Sequence, residues 1–351
     1  MSRATVTVVG GSGYTGGELL RLLLRHPNVE IASVTSDGLA GQPLHRAHPN
    51  LRKASELTFV PRPDAKEADV VVACTPHGES VKQVDRLLAL GDRLIDLSAD
   101  FRLKDPAAYR RWYGREHPRP ELLERSVYGI AELHRDELRG ATFVSGAGCI
   151  ATASILALAP LVRAGLVDTR RILVDAKIGS SASGLETSVA SLHAERSGVV
   201  RLYAPAGHRH TGEIEQELTV DGARPTVGLT CHAVDIVRGI LATAHAFLKD
   251  GVSVEDRDVW RVYRQAYGQE PFVRLVKERT GAHRFPEPKF VTGTNYCDVG
   301  FEVDPHANRI VAVSAIDNLS RGSAAAAVQN LNLMMGWPET TGLGDLGLHP
   351  V

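Results

Sequence analysis

The sequence predicts an α/β protein of two domains: a parallel sheet covered by helices, then a mixed α+β domain with a large sheet. Three observations support this prediction. The chain has 351 residues, and about 150 residues per domain is typical. Its first third alternates short β-branched runs with helical patterns, which favours a parallel sheet with helices on both faces. After about residue 165, long strand-like runs follow one another with fewer helices between them.

The elements of the first part follow from local patterns. Strands are expected at residues 5–9, 29–35, 69–73, 93–97 and 142–145, and helices at 18–24, 80–90 and 150–162. The first helix ends before Pro27, because proline disfavours helix in the residues that precede it. Residues 100–120 are rich in Arg, Tyr and Pro and predict a surface excursion. In the second part, strands are expected at 171–178, 229–237, 297–303 and 309–315, and a final alanine-rich helix at 320–335.

Composition excludes several classes of protein. With 40 Lys+Arg, 41 Asp+Glu and 43% hydrophobic residues, the chain is neither disordered nor a basic nucleic-acid binder. Its four cysteines are far apart, which favours a reducing, cytoplasmic compartment. The apolar N-terminal run is too short for a signal peptide. Residues 141–162 carry no charge, but glycines interrupt them, so we predict strand, turn and buried helix rather than a membrane span.

A glycine-rich turn lies between the first strand and the first helix. Gly11, Gly13 and Gly16 fit G-x-G-x-x-G, a spacing that lets the backbone approach a pyrophosphate at a helix N-terminus. Here the pattern predicts a Rossmann-type dinucleotide-binding domain. The expected contacts lie at the turn (Gly10, Gly11, Ser12, Gly13, Tyr14, Thr15 and Gly16) and after the second strand (Thr35 and Ser36). Asp37 suits the ribose hydroxyls of NAD and Ser36 suits a 2′-phosphate, so the residues leave NAD and NADP open.

Cys149 lies where a predicted strand turns into a helix, in the sequence GAGCIAT. A helix N-terminus stabilises a thiolate, and its N–H groups can hold a developing oxyanion. Cys149 is therefore the predicted nucleophile, whereas the other three cysteines are expected to be core thiols. His208, His210 and Glu213 lie in GHRHTGEI, where the carboxylate is one helical turn from His210 and can orient its imidazole as an acid/base. No second carboxylate or cysteine lies nearby at ligand spacing, so we predict no metal site.

Two arginines are candidate substrate ligands. Arg102 follows the fourth strand, at the sheet edge where open α/β sheets bind ligands. Arg238 lies between two apolar runs. Each guanidinium can bind a phosphate or carboxylate through two hydrogen bonds. Tyr203, just ahead of the histidines, is a third predicted substrate contact.

These motifs together resemble the N-acetyl-gamma-glutamyl-phosphate reductase family over essentially the whole chain. The likeness lies in GGSGYTGGEL, SADFRL, GAGCIAT, GHRHTGEI, VRG, GTNYCD and DNLSRG, in that order. The small residues around Cys149 and the ending GWPETTGLGDLGLHP are similar to the branch of this family in lysine biosynthesis. In that branch, the substrate's amino group is attached to a small acidic carrier protein.

The resemblance implies a reaction and its parts. NADPH would reduce an acyl phosphate to a semialdehyde through a thioester on Cys149. His210 would be the acid/base, with His208 as the alternative candidate for that role. Asn318 would be a further cofactor contact. It implies a nucleotide domain of residues 1–148 plus 320–351, a catalytic and oligomerisation domain of 149–319, and a homodimer or homotetramer. The basic segment 45–53 is a candidate carrier surface. Alternatives are the arginine-pathway reductase, an enzyme for both substrates, and a non-catalytic NADP-binding sensor.

Overall fold

The computed structural model describes residues 3–350. These divide into two compact units. The first takes the chain up to Tyr109, then Arg115–Ala147 and Ser323–Gly344. The second takes Arg110–Gly114, Gly148–Gly322 and the residues from Asp345 onward. The residues from Asp345 onward thus group with the second unit, whereas the resemblance implied that they belong with the nucleotide domain.

The first unit contains a six-stranded sheet in the order β2-β1-β3-β4-β6-β5. All its strand pairs are parallel, which confirms the predicted parallel sheet. The strands are β1 (Ala4–Val9), β2 (Val29–Val34), β3 (Ala68–Ala73), β4 (Gly91–Asp96), β5 (Val127–Tyr128) and β6 (Phe143–Ser145). Their central residues are almost wholly buried, as expected for strands covered on both faces.

The helices of this unit are α1 (Tyr14–Leu23), α2 (Val84–Ala89), α3 (Pro106–Tyr113, of which the first four residues belong to this unit), α4 (Ala131–Gly140) and, returning from the end of the chain, α9 (Ala325–Met334). The last helix follows a π-helical turn at Ser320–Ala324 and packs against α1 and α4. The buried ring nitrogen of His26 lies 2.9 Å from Asn332 and fixes this contact.

The second unit contains a seven-stranded mixed sheet in the order β11-β12-β13-β10-β7-β9-β8. The strands are β7 (Val167–Ile178), β8 (Val200–Ala204), β9 (Val227–Val234), β10 (Ile240–Leu248), β11 (Val273–Leu275), β12 (Cys297–Asp304) and β13 (Arg309–Ile316). Its helices are α5 (Cys149–Arg163), α6 (His193–Arg196), α7 (His210–Glu217) and α8 (Asp256–Tyr267). The buried α5 lies on one face of the sheet and packs against α7 and α8.

One prediction about the fold is wrong. Residues 100–120 are not a simple surface excursion, because Asp100, Arg102, Tyr109 and His117 are buried. The Asp100 carboxylate accepts the backbone N–H groups of Gly78 and of a neighbouring valine, which satisfies it inside the protein. The uncharged stretch 141–162 forms strand, turn and helix as predicted. Among residues 3–350, no helix is both long and apolar enough to cross a membrane.

Candidate active site

The glycine turn of the first unit has the geometry that a dinucleotide requires. Gly10 has a positive φ of 81°, a conformation that favours glycine. A Cβ on Gly16 would lie 2.6 Å from the Gly11 carbonyl oxygen, so the helix can approach the turn only without a side chain. A Cβ on Gly13 would meet nothing within 4 Å. Gly13 therefore borders open space at the start of α1, where a pyrophosphate fits the positive end of the helix.

Two side chains hold this turn in place. The Thr35 hydroxyl accepts the Gly10 N–H at 3.0 Å, and its carbonyl accepts the Gly11 N–H at 2.9 Å. The buried His48 ring donates from Nε2 to the Gly11 carbonyl at 2.8 Å, and burial lowers the pKa of His48. Thr35 therefore holds the turn through both its hydroxyl and its carbonyl. Ser36 donates its hydroxyl proton to Ser12 at 2.9 Å across the edge of the turn. Sequence reasoning missed His48, because its partner is 37 residues away.

In the second unit, Cys149 is the first residue of α5 and is partly exposed. The residue before it, Gly148, donates its backbone N–H to Glu213 Oε2 at 2.8 Å. Glu213 is fully buried. Its carboxylate therefore caps the helix that begins with Cys149, where the positive end of the helix favours a negative charge.

Glu213 also faces His210. His210 Nε2 lies 3.7 Å from Glu213 Oε1, and both side chains are buried. A Cβ on Gly148 would lie 2.6 Å from His210 Nε2 and 2.7 Å from Glu213 Oε1. The imidazole and the carboxylate thus meet at the backbone of the residue next to Cys149, and α7 supplies both from one turn.

His208 has a different environment. Its Nδ1 accepts the backbone N–H of His210 at 3.2 Å, and the two rings lie edge to face with centroids 4.6 Å apart. Burial, together with the charge of Arg209, lowers the pKa of His208 to about 4. His208 is therefore neutral across the physiological range and orients the start of α7.

Two further glycines keep this cluster compact. A Cβ on Gly322 would lie 2.6 Å from the Cβ of Cys149. Gly212, between His210 and Glu213 in α7, lies directly against the indole of Trp112. Sequence reasoning did not assign either contact, although Gly322 lies in the quoted motif DNLSRG.

The other thiols differ from Cys149. Burial raises the pKa of Cys74 to about 12 and that of Cys231 to about 11. Cys297 is fully buried. Cys231 and Cys297 are therefore core thiols, as predicted, whereas Cys74 is partly exposed and differs from that prediction. The raised pKa values of Cys74 and Cys231 disfavour their thiolates.

Arg102 and Arg238, the two arginines predicted to bind substrate, both form hydrogen bonds within the protein. Arg102 is buried and donates to the backbone carbonyls of Gly146 and Leu97 at 2.8 and 3.2 Å. Arg238 is partly exposed and pairs through two contacts with buried Asp317, at 2.8 and 3.1 Å. Asp317 therefore orients the Arg238 guanidinium.

Asn318 and Tyr203 complete the set. Both ends of the buried Asn318 amide are engaged in the second unit: Oδ1 accepts the Gly239 N–H at 2.7 Å, and Nδ2 donates to Ser181 at 3.0 Å. Tyr203, on β8, is 45% exposed, and its ring centroid lies 6.2 Å from that of His208. Within residues 3–350, no group of three or more His, Cys, Asp or Glu side chains is arranged to hold a metal ion.

The first unit carries a glycine turn of the dinucleotide-binding type, and the second carries a Cys149–His210–Glu213 cluster at a helix start. Such a combination is typical of oxidoreductases. Residues 5–141 match the family model described as "Semialdehyde dehydrogenase, NAD binding domain". Residues 149–318 match "Semialdehyde dehydrogenase, dimerisation domain". The chain belongs to the semialdehyde dehydrogenase family.

Relatives and solved structures agree with this assignment. A Deinococcus radiodurans protein, 51% identical over 99% of both chains, is named "[LysW]-L-2-aminoadipate 6-phosphate reductase". A Thermomicrobium roseum protein, 56% identical over 99% of both, carries this name provisionally. The chain has the fold of aspartate semialdehyde dehydrogenase II from Vibrio cholerae, with a TM-score of 0.70, 15% identity and coverage of 96% and 99%. The predicted fold class, family resemblance and oxidoreductase class are confirmed.

Proposed function

We propose that this protein is the NADPH-dependent reductase that converts carrier-protein-linked 2-aminoadipate 6-phosphate into its semialdehyde in lysine biosynthesis. The observation that best supports this reaction is the position of Cys149 at the start of α5, with His210 and Glu213 meeting at the backbone of Gly148. The named relatives over the full length of the chain support the substrate. We place the enzyme in the cytoplasm.

The first unit would hold the cofactor. The open space at Gly13 would accommodate the pyrophosphate, and the N–H groups of Tyr14 and Thr15, the first residues of α1, would bind it. Ser12 and Ser36 would supply hydroxyls to the adenosine ribose. When bound, NADPH supplies the hydride that reduces the acyl group.

The second unit forms the covalent intermediate. The Cys149 thiolate attacks the carbonyl carbon of the acyl phosphate, the carbon–oxygen bond to phosphate breaks, and inorganic phosphate leaves. A thioester remains on Cys149. Because Glu213 occupies the Gly148 N–H, the oxyanion is held by N–H groups further along the first turn of α5.

His210 moves the protons. It protonates the oxyanion that forms when the thioester is reduced and removes this proton when the carbon–sulfur bond breaks and the semialdehyde leaves. Glu213, whose carboxylate accepts the Gly148 N–H at the helix start, lies beside the imidazole, orients it and stabilises its charged form. Arg238, oriented by Asp317, is the proposed ligand for the substrate's phosphate or carboxylate.

A second candidate substrate is the glutamate analogue. A Cenarchaeum symbiosum protein, 53% identical over 99% of both chains, is provisionally named as a reductase of both LysW-linked aminoadipate and LysW-linked glutamate phosphates. One methylene discriminates by only about 1–3 kcal/mol. The direct test measures kcat/KM side by side for carrier-linked aminoadipyl phosphate, carrier-linked glutamyl phosphate and free N-acetylglutamyl phosphate. A preference for the free substrate would contradict the proposal.

The carrier is proposed to bind near the segment 45–53. Arg46, Arg52 and Lys53 are exposed there, whereas His48 is buried against the glycine turn. Charge reversal of Arg52 and Lys53 is expected to weaken carrier binding without changing turnover of a small acyl phosphate. Unchanged carrier affinity would exclude this segment.

We also propose a homodimer formed by the open face of the seven-stranded sheet. The face opposite α5 carries partly exposed apolar side chains on adjacent strands: Leu173, Leu241, Phe247, Val311 and Val313. The family description of this region as a dimerisation domain supports a second copy as the partner. Light scattering is expected to give a dimer, or a tetramer built from it, and Val313→Arg is expected to give monomers. A monomeric parent protein would contradict this proposal.

A non-catalytic sensor is the alternative of another class. It is distinguished by Cys149→Ser, which is expected to keep NADPH affinity and lose turnover. Turnover near that of the parent protein would exclude the thioester mechanism.

A further inference from the structure

A charged pair lies immediately after β2. Asp37 follows Ser36, and its carboxylate faces Arg62 of the next segment. The two segments are tied by backbone bonds, since the Ser36 N–H donates to the Val60 carbonyl at 3.0 Å. Asp37 and Arg62 therefore form one surface beside the hydroxyls of Ser12 and Ser36.

Asp37 is committed to Arg62. One carboxylate oxygen accepts the Arg62 backbone N–H at 2.9 Å, and the other accepts the Arg62 guanidinium. These hydrogen bonds lower the pKa of Asp37. Asp37 contacts the Arg62 guanidinium at its Nε atom, and the Arg62 side chain as a whole remains 42% exposed.

A second arginine reinforces the positive charge. The Arg86 guanidinium donates to the backbone carbonyl of Arg62. Asp37, Arg62 and Arg86 together carry one net positive charge. A carboxylate at the end of β2 ordinarily accepts the ribose hydroxyls of NAD, whereas a nearby arginine accommodates the 2′-phosphate of NADP. Here the carboxylate is neutralised by the arginine, which favours the phosphate.

We propose that Arg62 is the specificity residue that binds the 2′-phosphate of NADPH. This inference rests on the proposed use of NADPH and adds the residue that selects it. Arg62 lies 25 residues after Asp37 in the sequence. The residues at the end of β2 therefore include only the carboxylate, and taken alone they do not distinguish NAD from NADP. The exposed part of the guanidinium binds the phosphate oxygens, and Ser36 adds a hydroxyl.

The test uses two ligands that differ only in the 2′-phosphate. Adenosine 2′,5′-bisphosphate and 5′-AMP are titrated by calorimetry into the parent protein, into Arg62→Gln and into Arg139→Gln. The glutamine at position 62 keeps the backbone hydrogen bond to Asp37. Arg139 is the matched control, because it is an exposed arginine of the same unit paired with Asp136 at 2.8 Å.

The parent protein is expected to prefer the bisphosphate, and Arg62→Gln to reduce that preference about tenfold or more while 5′-AMP affinity stays within about twofold. Arg139→Gln is expected to match the parent protein. An Arg62→Gln protein with the parent's preference would overturn this inference alone. An equal loss of affinity for both ligands would also overturn it, because such a loss does not depend on the 2′-phosphate. A parent protein that does not prefer the bisphosphate would contradict the proposed use of NADPH as well.

Discussion

Gly148 is the position at which a single methyl group tests the geometry of the cysteine site. In Gly148→Ala, the new Cβ would lie 2.6 Å from His210 Nε2 and 2.7 Å from Glu213 Oε1. Ordinary contact begins at 3.4 Å, so the imidazole must move by about 0.8 Å. A misplacement of about 1 Å costs on the order of 100-fold in rate, which corresponds to about 2.7 kcal/mol of transition-state stabilisation.

The assay is the oxidation of NADPH with a saturating acyl phosphate. Gly148→Ala is expected to lower kcat about 100-fold and to leave NADPH affinity unchanged, because the nucleotide turn lies in the first unit. Gly140→Ala is the matched control, since a Cβ there meets nothing within 4 Å. A melting temperature close to that of the parent protein establishes that Gly148→Ala is folded. A folded Gly148→Ala enzyme with the parent's kcat would refute the placement of His210 and Glu213 in the reaction.

Three further predictions concern the same cluster. Glu213→Gln is expected to lower kcat about 10- to 100-fold in steady-state assays, because the amide no longer stabilises a charged His210; a loss below threefold would remove the carboxylate from the mechanism. His208→Asn is expected to leave the pH–rate profile between about pH 6 and 9 unchanged, since a pKa of about 4 keeps His208 neutral there; loss of a limb of that profile would instead make His208 the acid/base. Iodoacetamide is expected to label Cys149 before the other three thiols, as followed by peptide mass spectrometry. Burial raises the thiol pKa of Cys74 and Cys231 and shields the sulfur of Cys297. Labelling of another cysteine before Cys149 would contradict this prediction.

Patterns that repeat along one segment were sufficient to predict much of the fold. The apolar β-branched runs correspond to β1–β4, and GAGCIAT to the start of α5 at Cys149. The helix α8 was missed although its signal is local: Val259, Tyr263 and Tyr267 are buried at spacings of four, and Glu255 forms a capping box at its start. Its charged outer face obscured this periodicity.

Contacts between distant segments could not be predicted from the sequence in the same way. Gly148 and Glu213 are 65 residues apart in the sequence. Neither motif indicates that the carboxylate caps the helix that begins with Cys149. The same holds for Asp100, which looked like a surface residue until its backbone partners were known. A buried polar group is predictable only once its hydrogen-bond partners are, and those depend on the tertiary fold.

The covalent step is tested most directly by trapping the acylated enzyme. The protein is mixed with the carrier-linked aminoadipyl phosphate in the absence of NADPH, and its intact mass and digested peptides are measured. We predict a mass increase equal to the acyl group, carried by the peptide that contains Cys149, with release of one phosphate per site and loss of the adduct when NADPH is added. Phosphate release without an adduct, or an adduct on another residue, would contradict the account.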